Sequence, residues 1–215
     1  MLRLSDLAVD LTRHLEALFA PGVVCAQALL RRRELPGEQR CEEFATGRAL
    51  AKRLLGDLGG PDWPLTISDH GAPLWPCGFT GSIAHSDTWC VVAVARGTAF
   101  AALGVDVEPI APLAVEVLDL IAVPSERAWV LAVTGAEREL RGKQLFCAKE
   151  SFFKCLGPSA QDDCEHRDLE IAFGPSRSGF IANLTARGAQ LAALGRVGAM
   201  HGHAVAAAWI GPGSA

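Results

Sequence analysis

The chain has 215 residues, of which 50% are hydrophobic and 20% charged, and its formal net charge is −4. This length suits one large domain or two small ones, and the apolar content is enough for a buried core, which excludes an intrinsically disordered protein. Apolar runs are far shorter than the ~20 residues of a membrane helix, and acidic residues interrupt the apolar N-terminal stretch. We therefore expect a cytoplasmic protein without a membrane segment or a secretory signal. The acidic balance also argues against nucleic-acid binding.

The seven cysteines show no CxxC pair and no Cys/His spacing that fits a zinc site. An odd number of cysteines in a cytoplasmic protein indicates reduced thiols, most of them buried. Cys90 lies in an apolar run, so it is predicted to be part of the core and not a nucleophile.

The hydrophobic periodicity of the first half predicts alternating helices and strands. A proline-, glycine- and tryptophan-rich stretch from Gly59 to Gly81 predicts a long loop. In chain order, the elements expected are a helix over 5–19, a strand over 23–30, a helix over 36–55, a short strand over 65–68 within the loop, and strands over 89–96 and 102–108.

The pattern of helices followed by strands then restarts, with helices expected over 113–122, 125–133 and 137–156 and strands over 168–173, 179–184 and 203–210. We therefore predict an α+β fold of two similar α/β lobes related by a pseudo-two-fold axis. Each lobe is expected to contain a small, mostly antiparallel sheet packed on helices. The predicted boundaries are residues 1–102 and 103–215, with the active site between the lobes.

The segment Gly104–Glu108 ends a predicted strand with two carboxylates. Side chains alternate along a strand, so Asp106 and Glu108 point to one face, roughly 6–7 Å apart, while Val105 and Val107 face the core. Two carboxylates this close repel each other unless a cation lies between them. A solvated strand end is an equally good interpretation of this pair taken alone.

The segment Phe146–Lys154 lies on the predicted long helix. Glu150 and Lys154 are four residues apart and share one helix face, and Phe146 and Phe153 could pack that face onto a sheet. A surface Glu–Lys pair on an amphipathic helix is the common alternative.

Two further segments suggest anion binding. Gly81–Ser86 surrounds His85 with small residues, which lets a backbone approach an anion while the imidazole and the Ser86 hydroxyl donate hydrogen bonds, although a histidine in such a turn is more often structural. Phe44–Arg48 places Gly47 inside a helix, at a cost of ~1 kcal/mol relative to alanine, which indicates close packing or ligand approach. Arg48 could bind a phosphate or be solvated.

In this order and spacing the segments resemble the 4′-phosphopantetheinyl transferase superfamily, in its long, monomeric type. The resemblance rests on GVDVE at 104–108 and on FCAKESFFK at 146–154, with support from the segments at 81–86, 44–48, 73–76 and 124–126. It covers about residues 36–156. The chain departs from the family pattern at Ala84, where relatives often carry Ser or Thr, and at Gly71–Ala72, where they tend to carry Lys or Arg.

The resemblance implies transfer of phosphopantetheine from coenzyme A to a serine of an apo acyl or peptidyl carrier protein, with release of adenosine 3′,5′-bisphosphate. It implies that Asp106, Glu108 and Glu150 hold Mg²⁺, with Mn²⁺ as an alternative, against the coenzyme A pyrophosphate. Glu150 would take the serine proton, and Lys154 would offset charge on the leaving phosphate. By the same resemblance, the coenzyme A ligands would be Arg48, His85, Ser86, Arg40, Asp106 and Lys154.

Two other functions compete with this interpretation. One is a non-catalytic relative that binds carrier proteins, which the intact Asp106, Glu108, Glu150 and Lys154 argue against. The other treats the acidic cluster as a metal-dependent phosphohydrolase or a two-carboxylate glycosidase, which would act without a carrier protein.

Overall fold

A computed structural model describes residues 17–31, 35–186 and 189–213. It contains two antiparallel sheets, each packed against helices, so the predicted α+β class is confirmed. The sheets differ in size, with three strands in the first and five in the second. The elements are β1 (Val23–Leu29), α1 (Pro36–Asp57), β2 (Phe79–His85), β3 (Trp89–Arg96), β4 (Ala102–Pro109), α2 (Val115–Ile121), α3 (Pro124–Leu131), α4 (Gly135–Phe153), α5 (Pro158–Asp162), a 3₁₀ helix (His166–Asp168), β5 (Leu169–Phe173), β6 (Gly179–Ala186), β7 (Ala189–Met200) and β8 (His203–Ile210).

The first sheet has the order β1-β3-β2 and carries α1 on one face. Its central strand β3 is apolar and buried along almost its whole length, as expected for a strand covered on both sides. Helix α1 starts at Pro36, where a missing N–H costs nothing, and it packs closely on the sheet at Gly47. A Cβ atom added at Gly47 would lie 2.8 Å from Cγ2 of Ile83, which explains the glycine inside this helix by close packing.

The second sheet has the order β4-β8-β7-β6-β5 and packs on the long helix α4. The helix buries Leu145, Ala148 and Phe152 against it. Strand β8 contributes small side chains at Ala204, Ala206 and Ala208, which bring the helix close to the sheet.

The two sheets meet along β2 and β4. The buried Ser82 hydroxyl accepts a hydrogen bond from the backbone N–H of Val105, at 3.1 Å. Around this bond, one core combines side chains from both sheets, including those of Ala84, Val91, Ala93, Val105, Val107, Val205 and Ala207. The chain therefore joins its two halves by a shared apolar core and not by a mobile linker.

Some predicted elements are wrong or were missed. Residues 65–68 do not form a strand, because Leu65 has a φ of +47°, outside the extended region, and only an isolated bridge links Ile67 to Pro73. Strand β2 begins at Phe79, so the predicted loop ends before Gly81. His85 was expected in a turn, but it is the last residue of β2. Strands β2 and β7 and helix α5 were not predicted.

The predicted N-terminal helix lies mostly outside the described residues. In the part of the chain that the structure covers, no helix is both long enough and apolar enough to span a bilayer.

All seven cysteines lie in the described residues, and none forms a disulfide. Cys41 and Cys77 are exposed, and Cys164 is partly buried. Burial, with the nearby charge of Glu43, raises the pKa of Cys90 to about 12, so its reactive thiolate is scarce at neutral pH.

We expect an aromatic disulfide reagent to label Cys41 and Cys77 rapidly, one more thiol slowly, and all seven after denaturation. Rapid labelling of more than three thiols in the native protein would contradict this packing.

Candidate active site

A cleft of about 660 Å³ lies where the first sheet and its loop face the C-terminal end of α4. The first half contributes Trp75, Gly81 and Ile83 to its lining, and the second half contributes Glu150 and Lys154. The predicted catalytic pair therefore lies in a cleft between the two halves of the chain.

Gly104 brings α4 onto β4. A Cβ atom added at Gly104 would lie 1.7 Å from the carbonyl oxygen of Ser151, so the helix backbone occupies the space that any other residue would need. This approach places the ammonium group of Lys154 3.1 Å from the carbonyl oxygen of Val105 and 2.7 Å from Oδ1 of Asp106. The segments 104–108 and 146–154 are thus two sides of one site.

Asp106 is the most deeply buried carboxylate of the site, with 6% of its surface exposed. Burial raises its pKa, the ion pair with Lys154 lowers it, and the negative charges of Glu150 and Glu108 raise it further. Its second oxygen, Oδ2, is buried and has no hydrogen-bond partner among the described residues. Such an oxygen is costly unless a cation or a donor satisfies it.

Each of the other two carboxylates has its own cationic or donor partner. Glu108 accepts a hydrogen bond from the ammonium group of Lys143 at 2.9 Å, and Oε1 of Glu150 lies 2.7 Å from Nε2 of His166. Burial raises the pKa of Glu150, but the hydrogen bond from His166 and the charge of Lys154 outweigh it, so the pKa is lowered. Glu150 is therefore ionised at neutral pH. Across the described residues, no three His, Cys, Asp or Glu side chains are already arranged as a metal site.

The residues expected to bind coenzyme A from the first half lie apart from this pair, since none of them is among the described residues that line the cleft. Arg48 donates to the carbonyl oxygen of Leu65 at 2.6 Å and stacks on Phe44, and burial lowers the pKa of its guanidinium. Arg40 is exposed at the start of α1.

His85 is the last residue of β2, and Ser86 begins the turn to β3. Nδ1 of His85 is 3.4 Å from a carboxylate oxygen of Glu43 on α1. The Ser86 hydroxyl accepts the backbone N–H groups of Thr88 and Trp89, so it stabilises this turn. Both side chains have structural contacts in the described part of the chain, and both stay predictions as coenzyme A ligands.

The structure shows the surroundings of both departures from the family pattern. The side chain of Ala84 packs in the core between the sheets. Next to Gly71–Ala72, His70 lines the cleft, with Nδ1 at 3.5 Å from Asp162 on α5.

His166, Lys143 and Lys149 are site residues that sequence reasoning missed. Lys143 and Lys149 lie on α4. Lys143 comes three residues before the predicted segment 146–154 and Lys149 lies within it, but their partners Glu108 and Glu126 are far away in sequence. His166 belongs to a 3₁₀ helix of three residues, too short for any periodic pattern.

An ionised glutamate and an ammonium group beside a buried carboxylate with an unsatisfied oxygen can orient a phosphate group and accept a proton near it. The fold and site therefore define an α+β protein with a charged cleft between its two halves. Comparisons with known proteins identify the family.

Two family models match the chain, the 4′-phosphopantetheinyl transferase N-terminal domain over residues 26–95 and the 4′-phosphopantetheinyl transferase superfamily over residues 102–208. The chain therefore belongs to the 4′-phosphopantetheinyl transferase superfamily, which confirms the resemblance read from its motifs.

Three curated relatives carry the name 4′-phosphopantetheinyl transferase. Svp of Streptomyces mobaraensis is 38% identical over 70% of this chain and 61% of its own length. Npt of Nocardia iowensis is 39% identical over 66% of this chain and 65% of its own length. PptT of Mycobacterium tuberculosis is 34% identical over 69% of this chain and 65% of its own length. The chain thus spans less than two thirds of the length of these relatives.

Proposed function

We propose that the chain transfers the 4′-phosphopantetheine group of coenzyme A to a serine hydroxyl of an apo acyl or peptidyl carrier protein. Adenosine 3′,5′-bisphosphate would be the second product. The observation that carries the proposal is that Glu150 and Lys154 line one cleft and that Lys154 pairs with the buried Asp106 behind it, in the two segments that also carry the family resemblance. The active site would lie between a first lobe, residues 1–102, and a second, residues 103–215.

In this reaction the serine oxygen forms a bond to the β-phosphorus, and the bond from that phosphorus to the bridging pyrophosphate oxygen breaks. Glu150 lines the cleft and is ionised, so its carboxylate can take the serine proton. Lys154 lies beside it with its ammonium group anchored on Asp106, which directs a positive charge to the leaving phosphate.

We further propose that Mg²⁺, with Mn²⁺ as an alternative, is held by Asp106, Glu108 and Glu150. Two observations support the fit: Oδ2 of Asp106 is buried without a donor, and all three groups are the carboxylate oxygens that Mg²⁺ prefers. When bound, the ion would neutralise the negative charge that develops on the pyrophosphate. Glu108 is paired with Lys143 and Glu150 with His166, so these two carboxylates have partners of their own beside the ion they would hold.

The first half is proposed to bind the other phosphates of coenzyme A through Arg48, His85, Ser86 and Arg40. A monomeric state and a cytoplasmic location are also proposals, since they rest on the resemblance and on the composition of the chain.

Mass spectrometry of an apo carrier protein tests the proposal directly. With coenzyme A and Mg²⁺, the carrier is expected to gain the mass of one phosphopantetheine group, and a chelator is expected to abolish the gain. Because removal of a general base costs about 10²–10⁴-fold in rate, we expect a loss of that size in Glu150→Gln. The control is Glu139→Gln on the same helix, which lies outside the cleft lining and should retain the rate of the unmodified protein.

Other outcomes of this experiment would support one of the two alternative functions. No mass gain on any apo carrier, with carrier binding intact, would indicate a non-catalytic relative. Breakdown of coenzyme A without a carrier would indicate a phosphohydrolase. Full transfer by Glu150→Gln would refute the role of Glu150 as the base while leaving the transfer reaction in place.

A further inference from the structure

His166 contacts the carboxylate of Glu150 from outside the cleft. Its Nε2 atom lies 2.7 Å from Oε1 of Glu150, and about a quarter of each side chain is exposed. Glu150 lines the cleft, whereas His166 is not among the described residues that do. His166 therefore reaches the carboxylate without being part of the described cleft lining.

The direction of the hydrogen bond follows from the chemistry of the two groups. A carboxylate accepts hydrogen bonds, so in the 2.7 Å contact between Nε2 of His166 and Oε1 of Glu150 the imidazole is the donor. The imidazole must then carry its proton on Nε2 and donate it to Oε1. The bond engages Oε1, and Oε2 would then be the oxygen that accepts the serine proton.

The imidazole ring is itself held in place. It stacks on the ring of Phe153, with centroids 5.3 Å apart and planes inclined by 15°. Its backbone carbonyl accepts a hydrogen bond from the buried ammonium group of Lys149, at 2.9 Å. The Asp168 carboxylate accepts the backbone N–H of Glu165 at 2.8 Å, which closes the 3₁₀ helix that carries His166.

We propose that His166 is a positioning residue that holds the Glu150 carboxylate in the orientation needed to accept the serine proton. The inference rests on the proposed function for the role of Glu150, but the hydrogen bond and its rigid support belong to this chain whatever the reaction. The residue acts through Glu150 and does not touch the substrate.

Two substitutions of His166 test the effect of its hydrogen bond and the effect of its aromatic ring separately. His166→Phe keeps an aromatic ring to stack on Phe153 and removes the donor, whereas His166→Gln keeps an N–H donor and removes the ring. A catalytic group displaced by about 1 Å loses up to about 100-fold in rate. We therefore expect kcat to fall between about 10-fold and about 100-fold in His166→Phe, with the KM for coenzyme A changed less than about twofold. His166→Gln should recover most of the loss.

A double-variant experiment tests whether His166 acts through Glu150. In Glu150→Gln there is no carboxylate to position, so adding His166→Phe should cause no further loss of kcat. Losses that multiply in the double variant would overturn the proposal, as would wild-type kcat in His166→Phe. Melting temperatures of all variants are measured in parallel, and His166→Ala repeats the comparison should His166→Phe fail to fold.

An imidazole ¹H–¹⁵N NMR correlation spectrum gives a readout that does not depend on transfer. We expect His166 to be protonated at Nε2 and its Nε2 resonance to shift in Glu150→Gln. An unprotonated Nε2, or a resonance that does not respond, would refute the positioning contact. If these NMR results hold but no transfer to any carrier is observed, the proposed function fails while the contact stands, so the two failures are distinguishable.

Discussion

Gly104→Ala is expected to lower both the free energy of unfolding and the transfer rate. The new Cβ atom would lie 1.7 Å from the carbonyl oxygen of Ser151, and backbone on both sides leaves no flexible group to move aside. Overpacking of a core costs typically about 1–3 kcal/mol, and here the helix α4 must move away from β4 as a whole. That movement would separate Lys154 from Asp106, so we expect at least an approximately 100-fold loss of kcat.

Chemical denaturation and the carrier modification assay measure the two effects of Gly104→Ala separately. Gly56→Ala is the matched control, because Gly56 lies in α1 with no atom within 4 Å of an added Cβ. Its replacement in a helix should be neutral or stabilising by up to about 1 kcal/mol. A Gly104→Ala protein with unchanged stability and rate would show that α4 does not lie as close to β4 as described.

Loss of Glu126 is expected to destabilise the fold by about 3–5 kcal/mol. Its carboxylate is 3% exposed and lies 2.8 Å from the ammonium group of Lys149, which is fully buried. Glu126 also accepts the backbone N–H groups of Val123 at 2.8 Å and Ile171 at 2.7 Å, so Glu126→Ala leaves three donors unsatisfied. Burial lowers the pKa of Lys149, and the hydrogen bond and charge of Glu126 raise it, so the lysine depends on this partner to stay charged.

Urea unfolding of Glu126→Ala, Lys149→Met and the double variant measures the coupling. Each single variant should lose more stability than expected from its own contacts, and the double variant should lose less than their sum. The exposed pair of Lys52 and Asp62, 3.2 Å apart, is the control, since surface ion pairs contribute at most about 1 kcal/mol. Single variants that cost no more than this control would contradict the buried pair.

The buried strands and the long helices could be predicted from the sequence because their signals are local. Strands β3, β4 and β8 are apolar runs or alternations, and α1 and α4 have helical spacing bounded by proline or glycine. The same locality made GVDVE and KESFFK recognisable. The structure places Asp106, Glu150 and Lys154 near one another, while their roles stay predictions.

The other features of the fold and site depend on contacts between residues that are far apart in the chain. Local sequence patterns do not reveal such contacts. Strand β2 contains Gly81, and the glycine is needed because an added Cβ would lie 2.6 Å from the indole ring of Trp75, a tertiary contact. The 3₁₀ helix that presents His166 is placed by Lys149, seventeen residues earlier in the chain. Glu108 and its partner Lys143 are thirty-five residues apart.

The core shared by the two sheets has a thermodynamic consequence. Val91 and Ala93 of the first sheet pack with Val105, Val107 and Ala207 of the second, so neither sheet buries this face by itself. Separating the halves would expose these fully buried side chains to water, at about 25 cal/mol for each Å² of apolar surface. Two family models describe the chain, but because of this shared core we expect its halves to fold as a single cooperative unit, with the cleft between them formed only once both have folded.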